Sequence, residues 1–183
     1  MPRSGNEDNL MKKPERIIIS RTDSIGDVVL TLPMSGLLKQ SIPGVYIMFL
    51  AASYTREVVT TSEFFDEFID WSELSKMKPE QQVQELKKHK ADAIIHVYPR
   101  KEIAVLAKKA GIPIRIGTTG RAYHWLTCNR LVPLSRRRSQ LHESQLNLKL
   151  AASLVGPVNL SLSEIENLYG MVHLPPLQEQ FKP

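Results

Sequence analysis

The run Arg21-Thr-Asp-Ser-Ile-Gly-Asp27, continued by Val28-Val-Leu-Thr-Leu-Pro33, decides how this chain folds. Ahead of it stands Arg16-Ile-Ile-Ile-Ser20, apolar, β-branched and unbroken, as in a strand buried on both faces of a parallel sheet. Behind it, Asp27 to Gln40 carries apolar side chains at helical spacing, which predicts one helix over that span. Strand, tight turn and helix therefore meet at Ser24-Ile-Gly-Asp27. In an open α/β sheet such a junction falls at the carboxyl end of the strand, where ligands bind. Gly26 gives a substrate, or the turn itself, close access to the backbone. Asp27 falls at the start of the helix, where position alone makes it an N-cap and the dipole favours its charged form.

Outward from that junction the pattern repeats. Strands are expected at residues 45–51, entered through Pro43-Gly44, and at 67–70, 91–97 and 114–117. Helices are expected at 53–61, from Pro79 to His89, and at 101–110, where Gly111 and Pro113 stop the pattern. Residues 71–78 read as a connection, and 118–139 as irregular chain rich in arginine and aromatics. A long helix is predicted over 141–155, ended by Gly156-Pro157, and Ser163-Glu-Ile-Glu166 reads as the capping box of a last short helix. Strands alternating with helices make this an α/β protein, a Rossmann-like parallel sheet with helices on both faces. The first turn lacks the Gly-x-Gly-x-x-Gly spacing that brings a pyrophosphate to a helix N-terminus, and Asp27 would repel a phosphate there. A nucleotide is therefore not expected at the first turn.

Bulk properties bound the rest. At 183 residues there is room for one domain with a sizeable core. Residues 1–15 read as a flexible tail, 16–174 as the domain, and the proline-rich 175–183 as the start of an interdomain linker. No apolar run approaches the length of a membrane span, and the polar N-terminus lacks the apolar core of a signal peptide, so a cytoplasmic chain is expected. Cys128 is the only cysteine, which excludes an intrachain disulfide and argues against a structural zinc site; it reads as a small, partly buried hydrophobe. The net charge of +5 suits an anionic partner.

The motif from Arg21 to Pro33 resembles the opening signature of the heptosyltransferase family of glycosyltransferases, which transfer ADP-heptose onto lipopolysaccharide core. Arg100-Lys-Glu-Ile-Ala104, Ile112-Pro-Ile-Arg-Ile-Gly-Thr118, Arg121-Ala-Tyr-His-Trp125, Cys128-Asn-Arg130 and His142 to Lys149 are similar to the same family's first domain. The resemblance implies the N-terminal, acceptor-binding half of a GT-B architecture, with the nucleotide sugar gripped by a second domain for which no stretch is found here. It implies inverting transfer, with Asp27 as the catalytic base; the sequence holds no Asp-x-Asp pair of the kind that grips a metal-bound nucleotide sugar, so neither a metal nor another cofactor is expected. It also implies a lipopolysaccharide-core or other anionic glycan acceptor, and peripheral contact with the inner face of the cytoplasmic membrane. An acidic, phosphorylated acceptor calls for arginine forks. Arg21, Arg100 and Arg121 each follow a predicted strand and would reach one rim of the sheet, with Thr22, Ser24 and the Gly26 amide adding contacts.

Plainer readings stand beside these. Arg21 is equally a surface residue beside Asp23, and Arg121, Arg130 and Arg136-Arg-Arg138 a solvated basic loop. His96 and His142 read as structural histidines, and Tyr123 and Trp125 as cover for the core. A nucleic-acid module is suggested by the basic balance, but no recognition helix or stacking platform carries the arginines. A non-catalytic Rossmann-like module that binds an anionic ligand or a partner chain is the remaining alternative.

Overall fold

The structure, a computed structural model, describes residues 13–135 and 139–173. Residues 1–12 of the expected tail over 1–15, the Arg136–Arg138 run, the domain's last residue 174 and the expected linker over 175–183 lie outside the described residues. Six parallel strands form one sheet in the order β3-β2-β1-β4-β5-β6: β1 Arg16–Ser20, β2 Tyr46–Ala51, β3 Glu67–Asp70, β4 Ala93–His96, β5 Ile114–Thr118 and β6 Arg130–Val132. This is the doubly wound order, and its direction reverses between β1 and β4. There Ile17, Ile18, Ile19 and Ser20 of β1 lie beside Ala93, Ile94, Ile95 and His96.

The isoleucine run of β1 is unbroken because both of its faces are covered. Ile17 and Ile19 pack with Val28, Leu32 and Leu38 on one side of the sheet, and with Leu148 and Leu150. Ile18 points to the other side, among Leu86, Ile103 and Leu106. The first layer comprises α1 (Ile25–Val29), α2 (Pro33–Ser41), α8 (Glu143–Lys149), α9 (Ala152–Val155) and α10 (Leu162–Glu166). The second comprises α4 (Trp71–Leu74), α5 (Pro79–Lys88) and α6 (Lys101–Lys109). Among the described residues two further short helices are α3 (Arg56–Val59), after a 3-10 turn at Ser53–Thr55, and α7 (His124–Thr127).

Several local expectations need correction. The single helix from Asp27 to Gln40 is two, because Pro33 has no N–H for the Val29 carbonyl and its ring crowds that turn. Tighter bonds from Thr31 N to Val28 O and from Met34 N to Thr31 O bridge the break. The long helix at 141–155 is likewise divided after Lys149. The stretch 118–139 is not wholly irregular: it contains α7 and the three-residue edge strand β6. Residues 71–78 include α4, and the last helix is capped by Ser161 with Glu164, two residues earlier than Ser163 and Glu166.

Candidate active site

At the carboxyl end of β1 the chain runs through Arg21, Thr22 and Asp23 into α1, with the Arg21 N–H still bonded to Leu50 O at 3.0 Å. Ser24 is the N-cap: its backbone is extended (φ −75°, ψ 158°) and its Oγ accepts from Asp27 N at 3.3 Å. In return the Ser24 hydroxyl donates to Asp27 Oδ2 at 2.7 Å. Asp27 is therefore not the cap but the third residue of α1, the acidic partner in a reciprocal Ser-x-x-Asp pair.

Arg21 is not a surface residue: 4% of it is exposed. Its Nη2 lies 2.5 Å from Asp27 Oδ1, its Nε 2.6 Å from Asp23 Oδ1, and its Nη1 3.5 Å from Glu143 Oε1 in the first turn of α8. The Asp23 carbonyl is held by the Tyr54 hydroxyl. Glu143 is placed by the capping of α8, where His142 Nδ1 accepts from Ser144 N and Gln145 Oε1 accepts from His142 N. His142 is thus a structural cap, as expected.

Asp23, Asp27 and Glu143 border a cleft of about 560 Å³, together with Tyr98 after β4 and Thr118 and Arg121 after β5. The cleft lies at the switch between β1 and β4, where this topology leaves a crevice. Its two aspartates differ in acidity. Burial would raise the Asp27 pKa, but the Ser24 hydrogen bond and the Arg21 charge outweigh it and hold the carboxyl below its ordinary value. For Asp23 burial prevails over the pull of Arg21, and repulsion from Asp27 adds to it, so its pKa is raised.

Of the sequence-predicted residues, Arg21, Asp27 and Arg121 line the cleft; Thr22, Ser24, Gly26 and Arg100 are not part of its lining, each being only next in the chain to a residue that is. Thr22 is buried. Arg100 lies with its guanidinium carbon 5.8 Å from the centre of the Tyr98 ring. Gly26 has no positive φ, and a Cβ built there meets nothing within 4 Å, so neither backbone strain nor packing demands a glycine. Asp23 and Glu143 were not among the candidates. Asp23 could have been flagged as the nearest acid to a motif arginine; Glu143 is 122 positions from Arg21 and carries no local signal.

Behind the cleft, on the face shared with Ile94, His96 is fully buried and its ring stacks on His124 at 5.6 Å between centroids. Burial, with the neighbouring His124 and Arg115 charges, lowers its pKa to about 3. His124 Nδ1 faces both the N–H and the carbonyl of Thr118, at 3.0 and 3.1 Å. Tyr123 packs edge-on against His124, as cover for the core should. Trp125 does not: it is 63% exposed, with its indole N–H donating to Thr119 O. Cys128 is buried, and burial raises its pKa. Among the described residues no group of three or more His, Cys, Asp or Glu side chains could hold a metal ion. No described helix is long and apolar enough to cross a membrane.

No protein-family profile matches the chain. A putative glycosyltransferase of Haemophilus influenzae is 28% identical over 151 residues, 82% of this chain and 43% of that protein. Among solved structures, Escherichia coli heptosyltransferase WaaC with ADP aligns with a TM-score of 0.64 at 22% identity, over 84% of this chain and 52% of that one. E. coli ADP-heptose lipopolysaccharide heptosyltransferase II gives 0.61 at 19% identity, over 75% and 40%. A family 9 glycosyltransferase from Veillonella parvula gives 0.58 at 19% identity, over 87% and 42%. At these identities the structures establish the fold: this chain has the Rossmann-like α/β architecture found in solved heptosyltransferases. It spans less than half the length of the curated relative.

Proposed function

We propose that this chain is the acceptor half of an inverting glycosyltransferase of the heptosyltransferase kind, with Asp27 as the general base. The observation that carries the reading is the Asp27 carboxylate. It is held ionised by Ser24 and Arg21 at the edge of a cleft at the sheet's switch point. In the reaction Asp27 accepts the proton of an acceptor hydroxyl while the hydroxyl oxygen bonds to the anomeric carbon of a nucleotide sugar. The bond from that carbon to the diphosphate breaks, and its electron pair leaves with the nucleotide. A carboxylate this acidic is a weak base, which suits a cation-like anomeric carbon from which the proton departs late.

Arg121, on the cleft wall, supplies a fork for an anionic group of the acceptor, and Arg100 a second beside Tyr98. The donor falls to a second Rossmann-like half, and no metal has a role on this reading. A glycan acceptor anchored in a lipid would place the work at the inner face of the cytoplasmic membrane.

Binding to this chain tests the reading. Calorimetry should show saturable binding of a phosphorylated core oligosaccharide, weakened roughly tenfold or more by Arg121→Ala, with ADP-sugar bound poorly. Binding of an oligonucleotide that the oligosaccharide cannot displace would overturn it.

A further inference from the structure

From sequence alone Arg21 is a fork for the substrate, but its surroundings speak for a different task. Each of its three guanidinium nitrogens faces a carboxylate of the protein: Nε faces Asp23, Nη2 faces Asp27 and Nη1 faces Glu143. The group is 96% hidden, the complement of its 4% exposure, so its place is fixed by the fold rather than by solvent. A phosphate approaching it would first meet the negative oxygens that already surround it. An anionic substrate is better served by Arg121, which is exposed on the same cleft.

We propose that Arg21 is a positioning residue: clamped by Asp23 from its own loop and by Glu143 from α8, it aims the Asp27 carboxylate into the cleft. The inference rests on the reading of Asp27 as the base and deepens it. Two holds define the carboxylate. Ser24 takes Oδ2 from within the turn, and Arg21 takes Oδ1 from below, so both oxygens are engaged and rotation about the side chain is restricted. Asp23 orients the guanidinium from its Nε side, and its own backbone is tied to Tyr54 across the loop. Glu143 links the cluster to the second half of the chain, so the base is referenced to α8 as well as to α1.

The charged and titratable groups around Asp27 are then Arg21 and Asp23 from the β1–α1 loop, Glu143 from α8, Tyr98 after β4 and Arg121 after β5. Among these the nearest is Arg21, so its removal is the decisive perturbation. A lysine could restore the positive charge but not the three-way fork.

The test follows the Asp side-chain carboxyl carbons of this chain by NMR across pH. In the wild type Asp27 should titrate below the ordinary aspartate value. Arg21→Met should move its midpoint up by roughly one to three pH units, with Arg21→Lys in between. Asp27→Asn should lower the Asp23 midpoint, because the repulsion between the two is gone. If Arg21→Met does not fold, the wild-type and Arg21→Lys titrations decide, with the Asp27 midpoint of Arg21→Lys lying above that of the wild type. Asp27 at its ordinary value, or midpoints unmoved by these changes, would overturn the assignment.

The second arm measures sugar transfer with a donor-binding half present. There Arg21→Lys should lower kcat by roughly tenfold to a hundredfold with KM for the acceptor nearly unchanged, as expected for a misplaced base rather than a lost binding contact. A rise in KM with kcat intact would return Arg21 to substrate binding. If the NMR midpoints move as stated but neither Arg21→Lys nor Asp27→Asn slows transfer, the base reading fails while the clamp on Asp27 stands.

Discussion

The carboxylates that face the cleft and the imidazoles that sit behind it occupy the same rim of the sheet, at the ends of β1 and β4, yet their surroundings act on them differently. Asp27 is partly open to solvent and is governed by partners, a hydroxyl on one oxygen and a guanidinium on the other. His96 is closed off and governed by burial, with neither ring nitrogen hydrogen-bonded in the structure. The first arrangement keeps a charge in place at neutral pH, next to where a hydroxyl could enter. The second keeps a charge from forming at all. Being titratable and near the cleft is therefore not enough to make a group a catalyst; access and partners separate the two.

Acid unfolding breaks the comparison most strongly. His96 has a folded pKa of about 3 against an ordinary 6.5, so the unfolded chain binds the extra proton first. Its contribution to stability is complete above pH 6.5 and drains away as pH falls toward 3. Between about pH 7 and pH 4.5 the loss should be roughly 2–3 kcal/mol, two pH units at about 1.4 kcal/mol each. In chemical denaturation His96→Leu should remove most of that slope. An unchanged slope would mean that other groups set the acid limb.

Asp27, also depressed, works in a lower window: its contribution is present above its unfolded value and lost only as pH falls through the folded one. Asp23 has the opposite sign, since its raised pKa favours the folded state in acid and loses that advantage as pH rises. For Asp27→Asn at neutral pH, the change in stability should be about 1 kcal/mol or less. The side chain is about a third exposed, so its ion pair is screened, and asparagine keeps an acceptor for Ser24. Thermal melts check this, and a loss of several kcal/mol would make Asp27 mainly structural.

Two glycines sharpen the same contrast at smaller cost. A Cβ on Gly36 of α2 would come within 2.4 Å of the Leu168 carbonyl oxygen, so that glycine serves packing. Gly26 has open space where its Cβ would be. Gly26→Ala should raise stability by up to about 1 kcal/mol, as alanine replaces glycine within a helix. It should also weaken acceptor binding by roughly tenfold, the effect of one intruding methyl group. Unchanged binding would remove Gly26 from the site.

How far the sequence could be read follows from the range of the interactions involved. The β1 strand, the turn and the rim where ligands collect were legible because they rest on neighbouring residues and on the apolar run of β1. The capping role of Ser24 was also local, in a Ser-x-x-Asp spacing, but the charge of Asp27 drew the cap assignment to the wrong residue. Pro33 should have divided the first helix on steric grounds alone. By contrast, β6 is three residues long with an arginine at its start, too short for periodicity to mark. The Arg21–Glu143 approach joins opposite ends of the chain, and only the folded structure brings it together. Trp125 was assigned to the core from its residue type, which says nothing of the surface that a short helix presents.

The most direct test of the central claim is single-turnover sugar transfer by wild type and Asp27→Asn, with a donor-binding half present and both substrates saturating. Asp27→Asn should bind acceptor and keep its melting temperature within a few degrees, while the transfer rate falls by roughly a hundredfold or more. Transfer near the wild-type rate by the folded Asp27→Asn protein would contradict the account, leaving Asp27 as the partner of Ser24 in the first turn of α1 and nothing more.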